Sequence, residues 1–380
     1  MRLAIPSFVI SLYVFVSLIA FLPCRPWIKV LMATILLVVG QKYLIYEKIG
    51  GSFIAPDIPL QLLLILEILY SSLLILCFLL LIKDGVSLVL WLSRLMGTSW
   101  QLPFSPIAGH SGIALLALGL SLFGTWQSLQ VPQVKTIEVK IPQLPAALDG
   151  FSVVQLTDLH IGLLLGKDWL REVVEKTNAL SPDLVALTGD MIEDPVDALK
   201  DEIASLGMLS SNYGVFGVTG NHEYYFQAGQ WISAFEKLGI TMLNNAHRVL
   251  TLTAGAELVV AGVTDHSELR HGGTGPNIKA AFAGAPDVTR ILLAHRPNGI
   301  LGKVDADLQL SGHTHGGHLF FLQWLISSFN GGLVNGLYER GGRTLYVSPG
   351  TGLWAGFSCR LGVPAEITRI ILRSQKQAGS

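Results

Sequence analysis

Charged residues are scarce in this chain. Asp, Glu, Lys and Arg make up 14% of its 380 residues, against about 25% in a typical soluble protein. Hydrophobic residues reach 51% and the mean hydropathy is +0.52, which disfavours a purely soluble globular protein. Residues 1–130 carry seven Lys/Arg and four Asp/Glu, and residues 131–380 carry nineteen and twenty-three. Neither part holds the dense positive charge that nucleic-acid backbones attract, so no nucleic-acid partner is expected.

Cysteine is scarce as well. Cys24 and Cys77 lie in the apolar first part of the chain, and Cys359 stands alone near its end. Three scattered cysteines form neither a disulfide framework nor a paired-cysteine metal site. Any metal site in this chain must therefore use other ligands.

Four nearly uncharged stretches before residue 130 are long enough to cross a hydrocarbon core of about 30 Å. They cover residues 3–22, 27–46, 58–82 and 107–129, and no small-residue cleavage site follows the first. The shorter apolar stretch 86–96 predicts an interfacial helix with Lys83, Asp84 and Arg94 in the water layer. We therefore predict a multi-pass membrane region over residues 1–129. Five basic residues on one side against four on the other leave its orientation open.

Glu67 is the acidic residue inside a predicted span. Ionisable groups within membranes are functional candidates by default. A structural role, with hydrogen bonds to Gln61, Ser71 or Ser72, is favoured, because one acid does not make an ion path. A transport or sensor role would rest on Glu67 alone.

The chain changes character after residue 129. Residues 130–150 are punctuated by proline and are predicted to be a linker that leads to a first strand. Short β-rich runs then alternate with helical stretches, at residues 168–180 and 196–209 among others. This alternation predicts an α/β domain with buried strands over residues 151–373.

Five of the predicted strands end in polar residues that can bind metals. Since ligands gather beyond the carboxyl ends of strands in α/β sheets, these side chains are expected to meet. The residues are Asp158, His160, Asp190, Asn221, His222, His295, His313 and His315. Imidazole and carboxylate ligands suit Mn, Fe, Zn or Co, and the number suits two ions that share a carboxylate. Asp190, at the end of a central strand, is the natural shared ligand, and two such ions can clamp a phosphoryl group.

These blocks resemble the signature of the calcineurin-like metallophosphoesterases, in its membrane-anchored bacterial branch. The blocks are Asp158-x-His160, Gly189-Asp190, Gly220-Asn221-His222-Glu223, His295 and Gly312-His313-x-His315. The resemblance implies an α/β/β/α sandwich of two mixed sheets behind the α-helical membrane bundle. It also implies that Asp158, His160 and His315 hold one metal, and that Asn221, His295 and His313 hold the other. Asp190 would bridge the two metals, His222 would be the general acid, and Glu223 would orient or tune it.

Other residues near these blocks have two alternative roles each. His318 either touches substrate or caps a turn, and Arg296 pairs either with phosphate or with an exposed acid. For Asp265, His266 and His271, in the Gly-rich stretch 262–275, solvated loop polarity is favoured over a substrate loop. The apolar stretch 319–329 is either a core segment or a flap that enters the bilayer beside the metals.

These features predict a membrane-anchored two-metal phosphoesterase with Mn, Fe or Zn. The expected substrate is a phosphodiester or a pyrophosphate, because members of the resembled branch favour such bonds. The membrane anchor points to a lipid-linked or envelope-related substrate. A phosphomonoesterase and a non-catalytic metal-binding interaction or sensor module of the same fold are the alternatives.

Overall fold

The structure is a computed structural model that describes residues 4–49, 56–98, 100, 106–253, 255–298 and 306–374. The chain divides into two compact units. The helical unit contains Met1–Gln127 together with Gly356–Leu361, and the α/β unit contains Ser128–Ala355 and Gly362–Ser380. The short segment Gly356–Leu361 therefore belongs to the helices, which its position late in the chain did not indicate.

Apolar sequence forms the helices of the first unit. They are α1 (Ala4–Val14, continued by a π-helix, Phe15–Ile19), α2 (Pro26–Gly40), α3 (Lys42–Ile49), α4 (Leu60–Leu95) and α5 (Pro106–Ser128). In the described part of the chain, two helices are long and apolar enough to cross a membrane, α4 and α5. The pair α2 and α3, bent by 66°, makes a third if it is one span.

Besides the bend between α2 and α3, the helices differ from the predicted membrane region at its first span and at its interfacial helix. The first prediction, 3–22, corresponds to Ala4–Ile19, which falls among the shorter apolar helices; its residue Leu3 lies outside the described residues. The predicted interfacial helix 86–96 is instead the last part of α4. Asp84 does not end α4, because its carboxylate accepts hydrogen bonds from the hydroxyls of Tyr13 (2.6 Å) and Ser17 (2.8 Å).

Glu67 lies fully buried on α4 and has partners other than the expected ones. Its carboxylate pairs with the ammonium group of Lys42 and accepts a hydrogen bond from the Tyr46 hydroxyl at 3.1 Å. It also accepts from the backbone N–H of Ser358 at 3.1 Å, and Lys42 donates to the carbonyl of Gly356 at 3.0 Å. The pair thus fixes the inserted segment within the helical unit, as a structural role requires.

The α/β unit contains two six-stranded mixed sheets. The first has the order β1-β12-β2-β3-β4-β5 and the second β10-β11-β9-β8-β7-β6. The strands are β1 (Gln133–Ile141), β2 (Ser152–Leu156), β3 (Leu184–Thr188), β4 (Val215–Val218), β5 (Thr241–Met242), β6 (Ala246–Thr251), β7 (Glu257–Gly262), β8 (Thr289–Leu293), β9 (Leu308–Ser311), β10 (Gly336–Arg340), β11 (Arg343–Val347) and β12 (Glu366–Ser374). The helices are α6 (Lys167–Ala179), α7 (Val196–Leu199), α8 (Asn221–Tyr225), α9 (Ala228–Lys237), α10 (Ile278–Ala281) and α11 (Gln323–Phe329).

Buried strands explain the layers. Val153 on β2 faces the core between the two sheets with Leu258 and Leu310, whereas its neighbour Val154 packs against helices with Leu170 and other residues. This alternation is the two-residue period of a strand that is covered on both faces. The predicted α/β/β/α arrangement of mixed sheets behind apolar helices is thereby confirmed.

Two local predictions differ from the structure. The predicted linker 130–150 contains β1, which pairs in parallel with β12 over nine residues. The predicted helix 196–209 is split into α7 and a short 3₁₀ helix, Ala204–Met208. The helix predicted at 168–180 is present as α6.

Candidate metal centre

The polar residues that follow five strands come together in the α/β unit. Strands β2, β3 and β4 are neighbours in one sheet, and β8 and β9 are neighbours in the other. Parallel neighbouring strands deliver their carboxyl ends to one edge. Asp158, Asp190, His295 and His313 each lie two residues after a strand, and Asn221 lies three residues after β4.

Asp158, His160 and His315 form a first buried cluster whose ligand atoms all lie within 4.8 Å of one another. His315 Nε2 is 3.1 Å from His160 Nε2 and 3.5 Å from Asp158 Oδ1. His160 Nδ1 contacts Glu193 Oε1, so Nε2 is the ring nitrogen that is turned toward Asp158 and His315. The donor set fits a divalent metal ion.

Asp190, His295 and His313 form a second cluster within the same limit of 4.8 Å. His295 Nε2 lies 3.1 Å from Asp190 Oδ2 and 3.2 Å from His313 Nδ1. The opposite ring nitrogen of His295 lies 2.9 Å from the carbonyl of Thr188, which can only accept. His295 Nδ1 must therefore carry a proton, so Nε2 is the nitrogen that can bind a cation once it has lost its own proton.

Asp190 lies between the two clusters. Its Oδ2 is 3.1 Å from His295 Nε2 and 4.0 Å from His160 Nε2, while its Oδ1 accepts from the backbone N–H of His222 at 2.8 Å. Asn221 is next to the second cluster, since the guanidinium of Arg296 contacts both Asn221 Oδ1 and His313 Nε2. All seven predicted ligands are thus brought together.

The backbone of this site is unusual. Ten described residues other than glycine have a positive φ, and five of them are predicted ligands with φ between 48° and 71°. These five are Asp158, His160, Asp190, His313 and His315. Such conformations cost free energy for residues with a Cβ and persist where surrounding structure enforces them, typically at functional sites.

Glu193 was missed by sequence reasoning. It is fully buried, its Oε1 contacts His160 Nδ1, and its Oε2 lies 3.0 Å from His222 Nδ1. One carboxylate therefore orients a predicted ligand and the predicted acid together. It lies three residues after Asp190, in the loop that follows β3, which is the signal that could have revealed it.

Glu223 does not contact the ring of His222, which it was expected to orient or tune. Its carboxylate accepts hydrogen bonds from the backbone N–H groups of Met191 and Gly220 (both 2.7 Å) and of Asp190 (3.1 Å). These bonds tie the loop after β3 to the loop after β4. The side chain that contacts the His222 ring is Glu193, so Glu223 acts on His222 by its charge alone.

Electrostatics at the site favours a protonated His222. Burial lowers the pKa of His222, but the charges of Glu193 and Asp190 raise it to about 9. Burial likewise opposes charge on His295, yet Asp190 raises the pKa of His295 to about 10. A metal ion at the second cluster must therefore displace a proton from His295, which couples metal binding to pH.

The residues with two alternative roles lie in different surroundings in the structure. Asp265, expected in a solvated loop, is buried, and its Oδ2 accepts from Arg296 Nε at 2.7 Å. The His318 ring stacks on the His315 ring with centroids 4.8 Å apart. His266 and His271 are exposed, and the His271 ring lies 5.9 Å from that of Tyr224. Arg296 and Asp265 therefore join the site.

The stretch 319–329 forms a short 3₁₀ helix, Phe320–Leu322, and α11. Three aromatic side chains on it are exposed: Phe320 by 49%, Trp324 by 71% and Phe329 by 73%. Because large apolar side chains are normally covered, this pattern does not fit an ordinary core segment.

Comparisons with known proteins agree with this site. A family model described as calcineurin-like phosphoesterase matches residues 151–317, a range that holds all seven predicted ligands. The chain is 34% identical over 317 residues to an uncharacterized metallophosphoesterase of Campylobacter jejuni, with 82% of each protein covered. It is 35% identical over 272 residues to the transmembrane protein with metallophosphoesterase domain of Bos taurus, covering 67% of this chain. The match spans 60% of the length of that bovine relative.

Solved structures with a similar fold align over about half of the chain. The NAD nucleotidase of Haemophilus influenzae has a TM-score of 0.36 and 16% identity, and the alignment covers 53% of this chain and 45% of that one. A dimetal phosphatase from Danio rerio has a TM-score of 0.30 and 13% identity, with 53% and 88% covered. Alignments at this level say nothing about the substrate.

Proposed function

The chain belongs to the calcineurin-like phosphoesterase family, and from this membership we propose that it is a membrane-anchored two-metal hydrolase of phosphodiester or pyrophosphate bonds. In this proposal the helical unit anchors the protein by more than one span. The two metal ions are Mn, Fe or Zn, which accept mixed imidazole and carboxylate ligands.

One observation carries the proposal. Of the three groups of metal-ligand type in the described residues, two lie side by side, Asp158–His160–His315 and Asp190–His295–His313, and five of these six residues are held in a strained backbone conformation. A fold keeps such strain where the side-chain direction matters more than local stability. Two adjacent cation sites are the arrangement that suits phosphoryl transfer.

The chemistry of the donor set supports seven proposed ligands. Asp158, His160 and His315 would hold one cation, Asn221, His295 and His313 the other, and Asp190 would serve both. The contacts of His160 with Glu193 and of His295 with Thr188 leave Nε2 of each ring turned toward its cluster. Bound divalent ions supply Lewis-acid catalysis, by polarising phosphoryl oxygens and lowering the pKa of water.

His222 is the proposed general acid. Its Nδ1 is held by Glu193 at 3.0 Å, which leaves Nε2 to carry a second proton in the imidazolium form. Because its pKa is raised to about 9, the ring is charged at neutral pH and can protonate a departing alkoxide or phosphate. Glu193 is the residue proposed to hold it in that form.

A lipid-linked or envelope-related substrate is the finer part of the proposal. The exposed Phe320, Trp324 and Phe329 follow His315 in the chain by 5, 9 and 14 residues. Aromatic side chains of this kind are common where proteins contact lipid headgroups and acyl chains. We therefore propose that this segment contacts the apolar part of the substrate.

Hydrolysis by the full chain in detergent tests the proposal. We expect Mn²⁺-dependent release of nitrophenol from bis-p-nitrophenyl phosphate, and a weaker reaction with the monoester p-nitrophenyl phosphate. The Asp190→Asn variant should lose activity on the order of a hundredfold or more, since even a residue that only supports a ligand is worth about 10–100-fold.

A second variant separates metal binding from proton transfer. His222→Asn should keep the metal content of the wild-type chain while it loses turnover, whereas Asp190→Asn should lose both. Faster hydrolysis of the monoester would favour a phosphomonoesterase. A folded chain that binds two metals and hydrolyses neither ester nor a lipid pyrophosphate would favour the non-catalytic module, and a chain that binds no metal would refute the proposal.

A further inference from the structure

Arg296 occupies a defined position beside the second cluster. It follows His295 directly, and Asp265 accepts a hydrogen bond from its Nε at 2.7 Å. The Asp265 side chain is fully buried, and its other oxygen accepts from the backbone N–H of Ser267 at 2.8 Å. The guanidinium is therefore held from behind by a carboxylate whose oxygens are both engaged.

The outer edge of the guanidinium points at two predicted ligands. Arg296 Nη2 lies 3.2 Å from Asn221 Oδ1, and Nη1 lies 3.1 Å from His313 Nε2. These contacts and the one to Asp265 use three of the five N–H groups of an arginine. For the other two, the described residues give no partner, and 28% of the side chain is exposed.

The contact with His313 conflicts with metal binding by that ring. His313 Nδ1 faces His295 at 3.2 Å, so Nδ1 is the atom turned toward the cluster. A nitrogen that binds a cation carries no proton, and the ring proton then sits on Nε2. Nε2 and Arg296 Nη1 would both be donors, so this hydrogen bond would be lost and Nη1 would become available to an anion.

We propose that Arg296 is a substrate-binding residue, held by Asp265, whose guanidinium binds a phosphoryl oxygen beside the Asn221–His313 edge of the site. This inference rests on the proposed function, because it takes the predicted ligands as given. A planar guanidinium can bind two phosphate oxygens at once, as a lysine ammonium cannot. The Arg296 guanidinium lies next to two proposed cation sites, so an anion between them would be stabilised. Asp265 cannot be that anion, because both of its oxygens already accept hydrogen bonds.

The oxygen that Arg296 binds is one that a simple diester lacks. The phosphorus of a diester has only two non-bridging oxygens, and two bound cations that polarise the phosphoryl group would compete with Arg296 for them. A further anionic oxygen is available either as the third oxygen of a monoester or on the neighbouring phosphate of a pyrophosphate. Arg296 should therefore discriminate among phosphoesters by their number of anionic oxygens.

Phosphate binding tests the proposal without turnover. Titration calorimetry of inorganic phosphate into the Mn²⁺-loaded full chain in detergent should show binding that Arg296→Gln weakens by about tenfold to a hundredfold, the range for a hydrogen bond to a charged group. Arg296→Lys should keep part of the affinity. Arg171→Gln, which makes the same change in charge on exposed α6, should bind like the wild-type chain. Metal content must be equal in all variants.

Substrate comparison identifies the source of the oxygen. Arg296→Gln should lower kcat/KM for p-nitrophenyl phosphate if the third monoester oxygen is bound, or for a pyrophosphate-linked dinucleotide if the second phosphate is bound. For bis-p-nitrophenyl phosphate the loss should stay within about threefold, because no further anionic oxygen is present.

Three results would overturn the inference. They are unchanged phosphate affinity in Arg296→Gln, equal loss on all three substrates, and no phosphate binding by the loaded wild-type chain. Failure of the proposed function has a different signature, since a chain without hydrolytic activity whose phosphate binding still depends on Arg296 would refute the hydrolase and keep this site.

Discussion

At the scale of single residues, Glu193 connects two histidines that have different proposed tasks. Its two oxygens contact Nδ1 of His160 and Nδ1 of His222. The first contact orients the ring of a proposed metal ligand, and the second stabilises the charged form of the proposed acid. Burial raises the pKa of Glu193, but the charges of His222 and His160 lower it below its usual range, so it stays ionised at neutral pH.

Glu193→Gln should shift the alkaline limb of the pH–rate profile to lower pH. His222 must be protonated to act as an acid, so activity is present below its pKa and is lost as pH rises through it. Removal of the Glu193 charge lowers that pKa, and we expect the limb to move down by about 1–3 pH units. Bound cations would lower the pKa of His222 in both proteins, so the prediction concerns the difference between the two limbs and not their absolute positions. The profile of kcat against pH for a diester with an alkoxide leaving group, which departs only with a proton, measures the shift.

Two variants serve as controls for this prediction. Glu193→Asp keeps the charge but is too short to reach both rings, so its limb should stay near that of the wild-type chain while kcat or metal content falls. Glu236→Gln makes the same chemical change on the exposed face of α9 and should alter nothing. A limb at the wild-type pH in Glu193→Gln would contradict the role given to Glu193.

The proposed ligands could be located from sequence, whereas the residues that contact them from the loops could not. Asp158, Asp190 and His295 directly follow buried strands, and the position of a strand end is a local property of sequence. Glu193 and Asp265 lie inside loops, and their partners are 29 to 33 residues away in the chain. Only the order of neighbouring strands within each sheet brings Glu193 to the two histidines and Asp265 to Arg296.

At the scale of elements, close approach of the backbone beside the strand ends limits which residues fit. A Cβ on Gly312 would lie 2.2 Å from Asp158 Oδ2 and equally close to Thr157 Oγ1. A Cβ on Gly220 would lie 2.2 Å from Asp190 Oδ1. These glycines let the loops after β9 and β4 pass directly over the carboxylates that are proposed to bind metal.

Gly312→Ala should therefore displace the Asp158 carboxylate. The separation of 2.2 Å between the added Cβ and Asp158 Oδ2 is well below any real contact distance. Relieving such an overlap costs about 1–3 kcal/mol or more. We expect loss of about one metal equivalent and at least a tenfold fall in activity, as measured by metal analysis and by hydrolysis of bis-p-nitrophenyl phosphate. Gly229→Ala on α9, where a Cβ meets nothing within 4 Å, should keep full occupancy. Full metal content in Gly312→Ala would contradict this account.

The order of elements was harder to predict than their type. Apolar runs identify β2, β3, β4, β8 and β9 because these strands are buried on both faces. β1 is exposed along most of its length and pairs with β12, more than 200 residues later. No local pattern records such a pairing, so the prediction treated this region as a linker. The last part of α4 was predicted to be a separate interfacial helix because Lys83 and Asp84 interrupt the apolar sequence. The helix continues through them, since both residues have partners within the helical unit.

At the scale of the whole molecule, an apolar helical unit and an α/β unit with exposed aromatic residues occur in one chain. The helical unit includes Gly356–Leu361, so the chain leaves the α/β unit and returns to it before β12. Within the helical unit, this segment is bonded to Lys42, Tyr43 and Glu67. Removal of the helices would therefore leave these six residues without their partners, and experiments should use the full chain.

The lipid part of the proposal predicts an effect of the exposed aromatic residues that depends on substrate. Trp324→Ser combined with Phe329→Ser should lower kcat/KM for a long-chain lipid pyrophosphate in mixed micelles. Each side chain is worth about 1.5–3 kcal/mol when fully buried against apolar groups, so we expect a loss of tenfold or more. Hydrolysis of water-soluble bis-p-nitrophenyl phosphate should be unchanged, because neither side chain belongs to the metal clusters.

The comparison of the two substrates decides between lipid contact and a structural role for α11. Loss on both substrates would mean that the aromatic residues support the fold of the site, and a melting curve would then show destabilisation. Met208→Ser, which removes an exposed apolar side chain from a different element, should leave both rates unchanged. Equal rates on both substrates in the double variant would refute lipid contact at α11. That result would leave the proposed hydrolysis untouched, because the metal clusters lie at the strand ends and not on α11. The substrate would then have to be recognised by its phosphoryl oxygens alone.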